Sequence, residues 1–60
     1  MNMTPEQKLD TAARKLYNRH SLSSLIEIAR EYGRDFPANE QKFTVALFVA
    51  ERDAASRFMA

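Results

Sequence analysis

The stretch that decides the fold is "FTVALFVA", which occupies residues 43–50. Its threonine, valine and phenylalanine residues favour a strand, and a short apolar run does not by itself distinguish a strand from a buried helix. The run continues without a turn signal into the alanine-rich "ERDAASRFMA" of residues 51–60, and no second strand is available to pair with it. We therefore predict a third helix over about residues 38–58, beginning at Pro37 or Asn39.

This predicted helix is apolar on more than one side. One stripe at helical spacing is expected to face the core. It consists of Phe43, Ala46, Leu47, Ala50, Ala54 and Phe58. A chain of three short helices is not expected to cover both sides of its last helix, so a second apolar face should bind a partner. This second face is predicted to comprise Val45, Phe48 and Val49, rimmed by Glu51 and Arg52.

A first helix is predicted over about residues 5–19. Thr4 and Gln7 fit a capping box, in which each side chain bonds the backbone N–H of the other, and Pro5 suits the first helical position. The apolar residues that follow recur at the spacing of one helix face. They are Leu9, Ala12, Ala13, Leu16 and Tyr17.

A second helix is predicted over about residues 22–32. Ser21 is a candidate N-cap, and Gly33 can adopt the left-handed conformation that ends a helix. The same apolar spacing recurs between them, at Leu22, Leu25, Ile26, Ala29 and Tyr32. The expected architecture is a single all-α domain over residues 1–60, a small bundle of three helices.

Length and composition narrow the possible functions. A chain of 60 residues buries a small core. It has no cysteine with which to form a disulfide, and its single histidine cannot supply the ligands of a structural zinc site. A partner chain is then the favoured source of extra stability. No export signal or membrane span is recognisable, so we expect a cytoplasmic protein with no membrane partner. No cofactor, metal or small-molecule substrate is expected either.

The second helix and Gly33 resemble the first half of a DNA-binding helix-turn-helix. The turn, however, leads to Asp35, Phe36 and Pro37 and then to an apolar helix, which cannot hydrogen-bond base edges. With a net charge of +1, the chain as a whole also has no strong positive potential of the kind that attracts nucleic acid. Nucleic-acid contact is therefore possible but indirect, through a local patch on the first helix. The candidate residues are Arg14, Lys15 and Arg19.

Catalysis is not expected. His20 and Ser21 are adjacent in sequence, and no third residue is evident that would orient the imidazole towards the hydroxyl. Glu27 and Glu31 share a helix face, but they lie beside Arg30 and Arg34 and are typical of a solvated charged surface. We predict a non-enzyme that acts through protein contacts, with no catalytic residue.

Four segments between about Thr11 and Ala55 carry a family resemblance. They are "ARKLYNR" at residues 13–19, "SLSSL" at 21–25, "RDFPANE" at 34–40 and "VAERD" at 49–53. Together they resemble the haemolysin-expression-modulating (Hha/YmoA) family, small helical bacterial proteins that bind the N-terminal region of the nucleoid protein H-NS. The chain departs from the family where Glu51 replaces an aspartate, where Arg52-Asp53 replaces His-Arg, and in having no tryptophan-containing C-terminal segment.

The resemblance implies an H-NS-like partner and a role in modulating gene expression in bacteria. Glu51 would then correspond to the carboxylate that engages an arginine of H-NS. Two alternatives stay open. The chain could be a small homodimeric DNA-binding regulator that uses its basic first helix, or a helical homodimer of unassigned role whose second apolar face serves self-association.

Overall fold

Three α-helices make up the fold, as shown by a computed structural model of the chain. Helix α1 comprises Pro5–Arg19, α2 comprises Leu22–Glu31 and α3 comprises Lys42–Met59. The structure describes residues 4–59 and, among them, the side chains of residues 4–55. The prediction of an all-α, three-helix fold is confirmed, and the stretch that could have been a strand is helical. The predicted core residue Phe58 lies outside the described side chains.

Helix α1 begins at the predicted capping box. The Thr4 hydroxyl accepts a hydrogen bond from the backbone N–H of Gln7 at 3.2 Å, and the Gln7 side-chain oxygen accepts one from the backbone N–H of Thr4 at 3.0 Å. Pro5 takes the first helical position, where its missing N–H costs no helical hydrogen bond. These contacts are local, and they mark the first residue of α1.

The connection between α1 and α2 is held by side chains of its own. The Ser21 hydroxyl accepts a hydrogen bond from the backbone N–H of Ser24 at 3.2 Å, which is the predicted N-cap of α2. The Ser24 hydroxyl in turn lies 3.2 Å from Nδ1 of His20. His20 therefore contacts Ser24, one turn further on, and helps to fix the turn between the two helices.

Helix α2 ends at Gly33, which has a φ of +91°. The backbone N–H of Gly33 donates to the carbonyl of Arg30 at 2.9 Å, and that of Arg34 donates to the carbonyl of Ala29 at 3.0 Å. This pair of bonds is the Schellman motif, which satisfies carbonyls that a helix end would leave without partners. The predicted role of Gly33 is confirmed.

Helix α3 begins later than the sequence predicts. Residues 37–40 form a separate turn, closed by a hydrogen bond from the backbone N–H of Glu40 to the carbonyl of Pro37 at 3.0 Å. The helix starts only at Lys42, so the prediction that it begins at Pro37 or Asn39 is wrong. Proline and cap-prone residues in this link mark a turn rather than a helix start.

Phe36 gives the physical reason for the late start. Its side chain is 6% exposed, and its ring lies edge-on to that of Phe48 with centroids 5.5 Å apart. A residue before proline is also restricted to extended conformations. The chain must therefore first place Phe36 against α3 in an extended link, and it needs a further turn before a new helix can start.

Helix α3 lies between the other two helices. It packs extensively against both α1 and α2, whereas α1 and α2 contact each other little. The buried core accordingly takes residues from all three helices and from the link. They are Ala13, Leu25, Ile26, Ala29, Phe36, Val45, Ala46, Val49 and Ala50.

This arrangement corrects the predicted second apolar face. Val45 is 0% exposed and Val49 is 3% exposed, so both belong to the intramolecular core and neither is available to a partner. The expectation failed because α1 and α2 cover different sides of α3, and a helix between two neighbours needs apolar residues over a wide arc. The predicted core stripe is only partly right, since Ala46 and Ala50 are buried but Ala54 is exposed.

We expect Gly33→Ala to lower the free energy of unfolding by about 1–2 kcal/mol, because an L side chain is strained at positive φ. A Cβ at this position would meet nothing within 4 Å, so the loss comes from the backbone alone. Urea unfolding followed by circular dichroism measures it. Gly33→Asn is the control and should lose less, because asparagine tolerates this region better. Equal stability of Gly33→Ala and the parent chain would contradict the left-handed helix end.

We expect Val49→Ala to lower the free energy of unfolding by about 2 kcal/mol, because buried methyl groups are lost and a cavity is left. The same urea titration at low temperature measures it. Glu51→Ala, on the exposed side of the same helix, is the control and should change stability by no more than about 0.5 kcal/mol. If Val49→Ala weakened self-association or partner binding while stability stayed the same, Val49 would lie on a surface after all.

Candidate partner-binding surface

The residues predicted to bind a partner do not form one surface. Val45 and Val49 are buried, Phe48 is half-buried, and Glu51 and Arg52 are exposed. What is left of the predicted face is therefore one partly covered aromatic ring with two charged neighbours. Glu51 lines a groove described below, while Phe48 and Arg52 contribute to the packing of the link.

Phe48 and Phe36 lie between two arginines. The guanidinium carbon of Arg52 is 5.4 Å from the centroid of the Phe48 ring, and that of Arg34 is 5.0 Å from the centroid of the Phe36 ring. Because the two rings also contact each other edge to face, the four side chains form one continuous stack. This stack ties the link to α3, so the main contact of Phe48 is inside the molecule.

The basic residues predicted to contact nucleic acid are divided between two sides of α1. Nε of Arg14 lies 3.0 Å from a carboxylate oxygen of Asp10, in an exposed ion pair. Arg14 lines a hollow with Tyr17 and Phe43, whose ring centroids are 6.2 Å apart. Lys15 and Arg19 line a different hollow. The structure therefore does not bring Arg14 together with the other two cations.

Lys15 and Arg19 share their hollow with a third cation, Lys8, which is not among the residues predicted to contact nucleic acid. We call this the basic hollow, and its volume is about 360 Å³. Its lining comprises Lys8, Thr11, Ala12, Lys15, Leu16, Arg19, Ala50 and Asp53. A single acidic side chain, that of Asp53 on α3, lines it with the three cations.

A larger groove of about 500 Å³ runs between the first half of α1 and the second half of α3. Its lining is mostly apolar, with one charged residue from each helix. We call it the α1–α3 groove, and it is lined by Pro5, Lys8, Leu9, Ala12, Ala50, Glu51 and Ala54. Ala50 is buried, Leu9 and Ala12 are half-buried, and Ala54 is exposed. Among the side chains of residues 4–55, the groove is therefore a mostly apolar surface that is open to solvent.

Small side chains explain why this groove exists. Ala12, Ala50 and Ala54 face a space that larger residues would fill. The helical spacing of Leu9, Ala12 and Ala54 is visible in the sequence, and it predicts that all three lie in the hydrophobic core. This prediction is wrong for Ala54, because the spacing of alanines along a helix does not show whether other side chains cover them.

In comparisons with family models, with curated proteins and with solved structures, nothing matches this chain. The resemblance to the Hha/YmoA family therefore stays a prediction from the sequence.

Among residues 4–59, no helix combines the length and apolar character that crossing a membrane requires. Within the same residues, no three or more histidine, cysteine, aspartate or glutamate side chains are grouped so that they could hold a metal ion.

We expect Phe48→Ala to lower the free energy of unfolding by about 2 kcal/mol, because the ring leaves its contacts with Phe36 and Arg52. Hydrogen exchange at the link amides should also become faster, since Phe36 loses its neighbour. Phe48→Leu is the control and should keep most of the stability. If Phe48→Ala left both stability and exchange unchanged, Phe48 would belong to a free surface, as the sequence predicted.

Proposed function

We propose that this protein is a non-catalytic interaction module that holds a helix of a partner protein in the α1–α3 groove. The observation that carries the proposal is an open apolar groove between two helices, with Lys8 and Glu51 supplying one charge of each sign. A third helix can lie in such a groove with its apolar side inward, and the charged residues then fix its register. The residues that line the groove do not include a group of side chains arranged for catalysis, so we propose binding as its role.

The finer proposal is that the partner is an H-NS-like nucleoid protein and that binding modulates gene expression in a bacterium. It rests on the sequence resemblance, in which Glu51 corresponds to a carboxylate that engages an arginine of the partner. Glu51 lines the α1–α3 groove and is exposed, so an arginine could approach it there. Its side chain is one methylene longer than aspartate, and the arginine would have to sit correspondingly further from α3.

Two alternatives are less well supported by the geometry. A DNA-binding regulator would have used Arg14, Lys15 and Arg19 together, and Arg14 lies on another side of α1 from the other two. A homodimer could use the α1–α3 groove, because Lys8 of one copy could oppose Glu51 of the other in a symmetric interface. A homodimer would have twice the molecular mass of one chain in a solution that contains no other protein.

We expect light scattering across a concentration series to give the mass of a monomer for the chain alone. After mixing with the N-terminal region of an H-NS-like protein, it should give the mass of a complex. Glu51→Lys should weaken that complex by about tenfold or more, since a repulsive charge replaces an attractive one. The control is Glu31→Lys, the same charge change at an exposed position of α2, which should leave binding within about twofold.

Three results would count against these proposals. No complex with the H-NS-like region would exclude that partner. A complex that Glu51→Lys and Glu31→Lys affect equally would exclude the α1–α3 groove as its site. A tight dimer of the chain alone, indifferent to the H-NS-like region, would assign the groove to self-association.

A further inference from the structure

The α1–α3 groove and the basic hollow are parts of one concave surface. They share Lys8, Ala12 and Ala50, so one continues into the other along α1. The groove end is mostly apolar, and the hollow end adds the cations of Lys15 and Arg19 together with the carboxylate of Asp53. A ligand long enough to fill both would therefore meet an apolar environment at one end and positive charge at the other.

The three cations form a single row on α1. Lys8, Lys15 and Arg19 are separated by seven and four residues, which returns each to nearly the same side of a helix, and the row spans about 16 Å. The ion pair of Arg14 with Asp10 and that of Arg30 with Asp35 do not involve this row. All three side chains are exposed. The row is a local concentration of positive charge in a chain whose net charge is only +1.

From this we infer that the α1–α3 groove and the basic hollow together bind one acidic amphipathic helix of another protein. Its apolar side would lie on Leu9, Ala12 and Ala54, and its acidic side chains would contact Lys15 and Arg19. The inference rests on the interaction-module function proposed above and adds the chemistry of the partner. The small side chains in the groove let a partner helix approach closely, and the basic row selects it by charge.

An acidic helix suits this surface better than a nucleic acid does. A phosphate backbone has no apolar side to place in the α1–α3 groove. Three cations in one row would also give weak binding to a duplex, whose affinity grows with the number of phosphates neutralised. A helix with leucines on one side and glutamates beside them matches both the apolar and the basic parts.

Three labelled probes test the inference by fluorescence anisotropy with the full chain. Two are designed helical peptides of about 18 residues, about 27 Å long, with the same leucine stripe. One carries glutamates beside that stripe and the other carries lysines. The third probe is a short DNA duplex. The variants are Lys15→Glu and Arg19→Glu, with Arg14→Glu as a control of equal charge change on another side of α1, and Ala54→Trp to fill the groove.

We expect the acidic peptide to bind, the basic peptide to bind at least about tenfold more weakly, and added salt to reduce the difference. Lys15→Glu and Arg19→Glu should each weaken binding of the acidic peptide by about fivefold or more, and Arg14→Glu by less than about twofold. Ala54→Trp should weaken binding of the acidic peptide with little effect on helical circular dichroism, because Ala54 is exposed.

The remaining outcomes overturn the inference and separate it from the proposed function. Equal binding of both peptides, lost in Ala54→Trp, would keep the groove as a helix-binding site and exclude an acidic partner. Binding of the duplex alone, lost in Lys15→Glu, would assign the basic hollow to nucleic acid. If no probe bound, the acidic-helix inference would fail, and the light-scattering experiment with Glu51→Lys would still decide the proposed function independently.

Discussion

Burial of Val45 and Val49 between α1 and α2 is the constraint on which the rest of this structure depends. Val45 lies in the first turn of α3 and Val49 one turn further on, and both are almost completely removed from solvent. Because α3 supplies the contacts to both other helices, α1 and α2 need to touch each other only a little. A chain this small can therefore form a single core around one central helix, and the outer sides of α1 and α2 are left for solvent and for other molecules.

The link between α2 and α3 makes this arrangement possible. Gly33 ends α2 in a left-handed conformation, and Phe36 then returns to the core against Phe48. Arg34 and Arg52 cover the outer sides of the two rings, so the aromatic pair is shielded without a fourth helix. On another side of α3, the small side chains of Ala12, Ala50 and Ala54 line the α1–α3 groove, and no large side chain among residues 4–55 fills it.

The sequence was sufficient for features that depend on neighbouring residues. The capping box at Thr4, the N-cap at Ser21 and the end of α2 at Gly33 each involve residues within one or two turns, and each was predicted correctly. The sides of α3 were not predictable in the same way, because periodicity shows that a face is apolar but not which element covers it. Val45 and Val49 were assigned to a partner for this reason.

The candidate site could also be predicted only in part from the sequence. Arg14 and Lys15 are consecutive on a helix and therefore point about 100° apart, so helical geometry alone could have separated them. The same geometry could have added Lys8 to Lys15 and Arg19. The α1–α3 groove could not be found this way, because it depends on the distance between two helices and on small residues from both. Its lining, and with it the proposed function, required the packed structure.

The measurement that tests the position of α3 most directly is an isotope-filtered NOE experiment on an equal mixture of labelled and unlabelled chains. We expect the methyl groups of Val45 and Val49 to show NOEs to side chains of α1 and α2, such as Ala13 and Leu25, within one chain and not between chains. Intermolecular NOEs from these methyl groups would contradict the central position of α3. They would place the valines at an interface between copies, and the α1–α3 groove would then lose its structural basis.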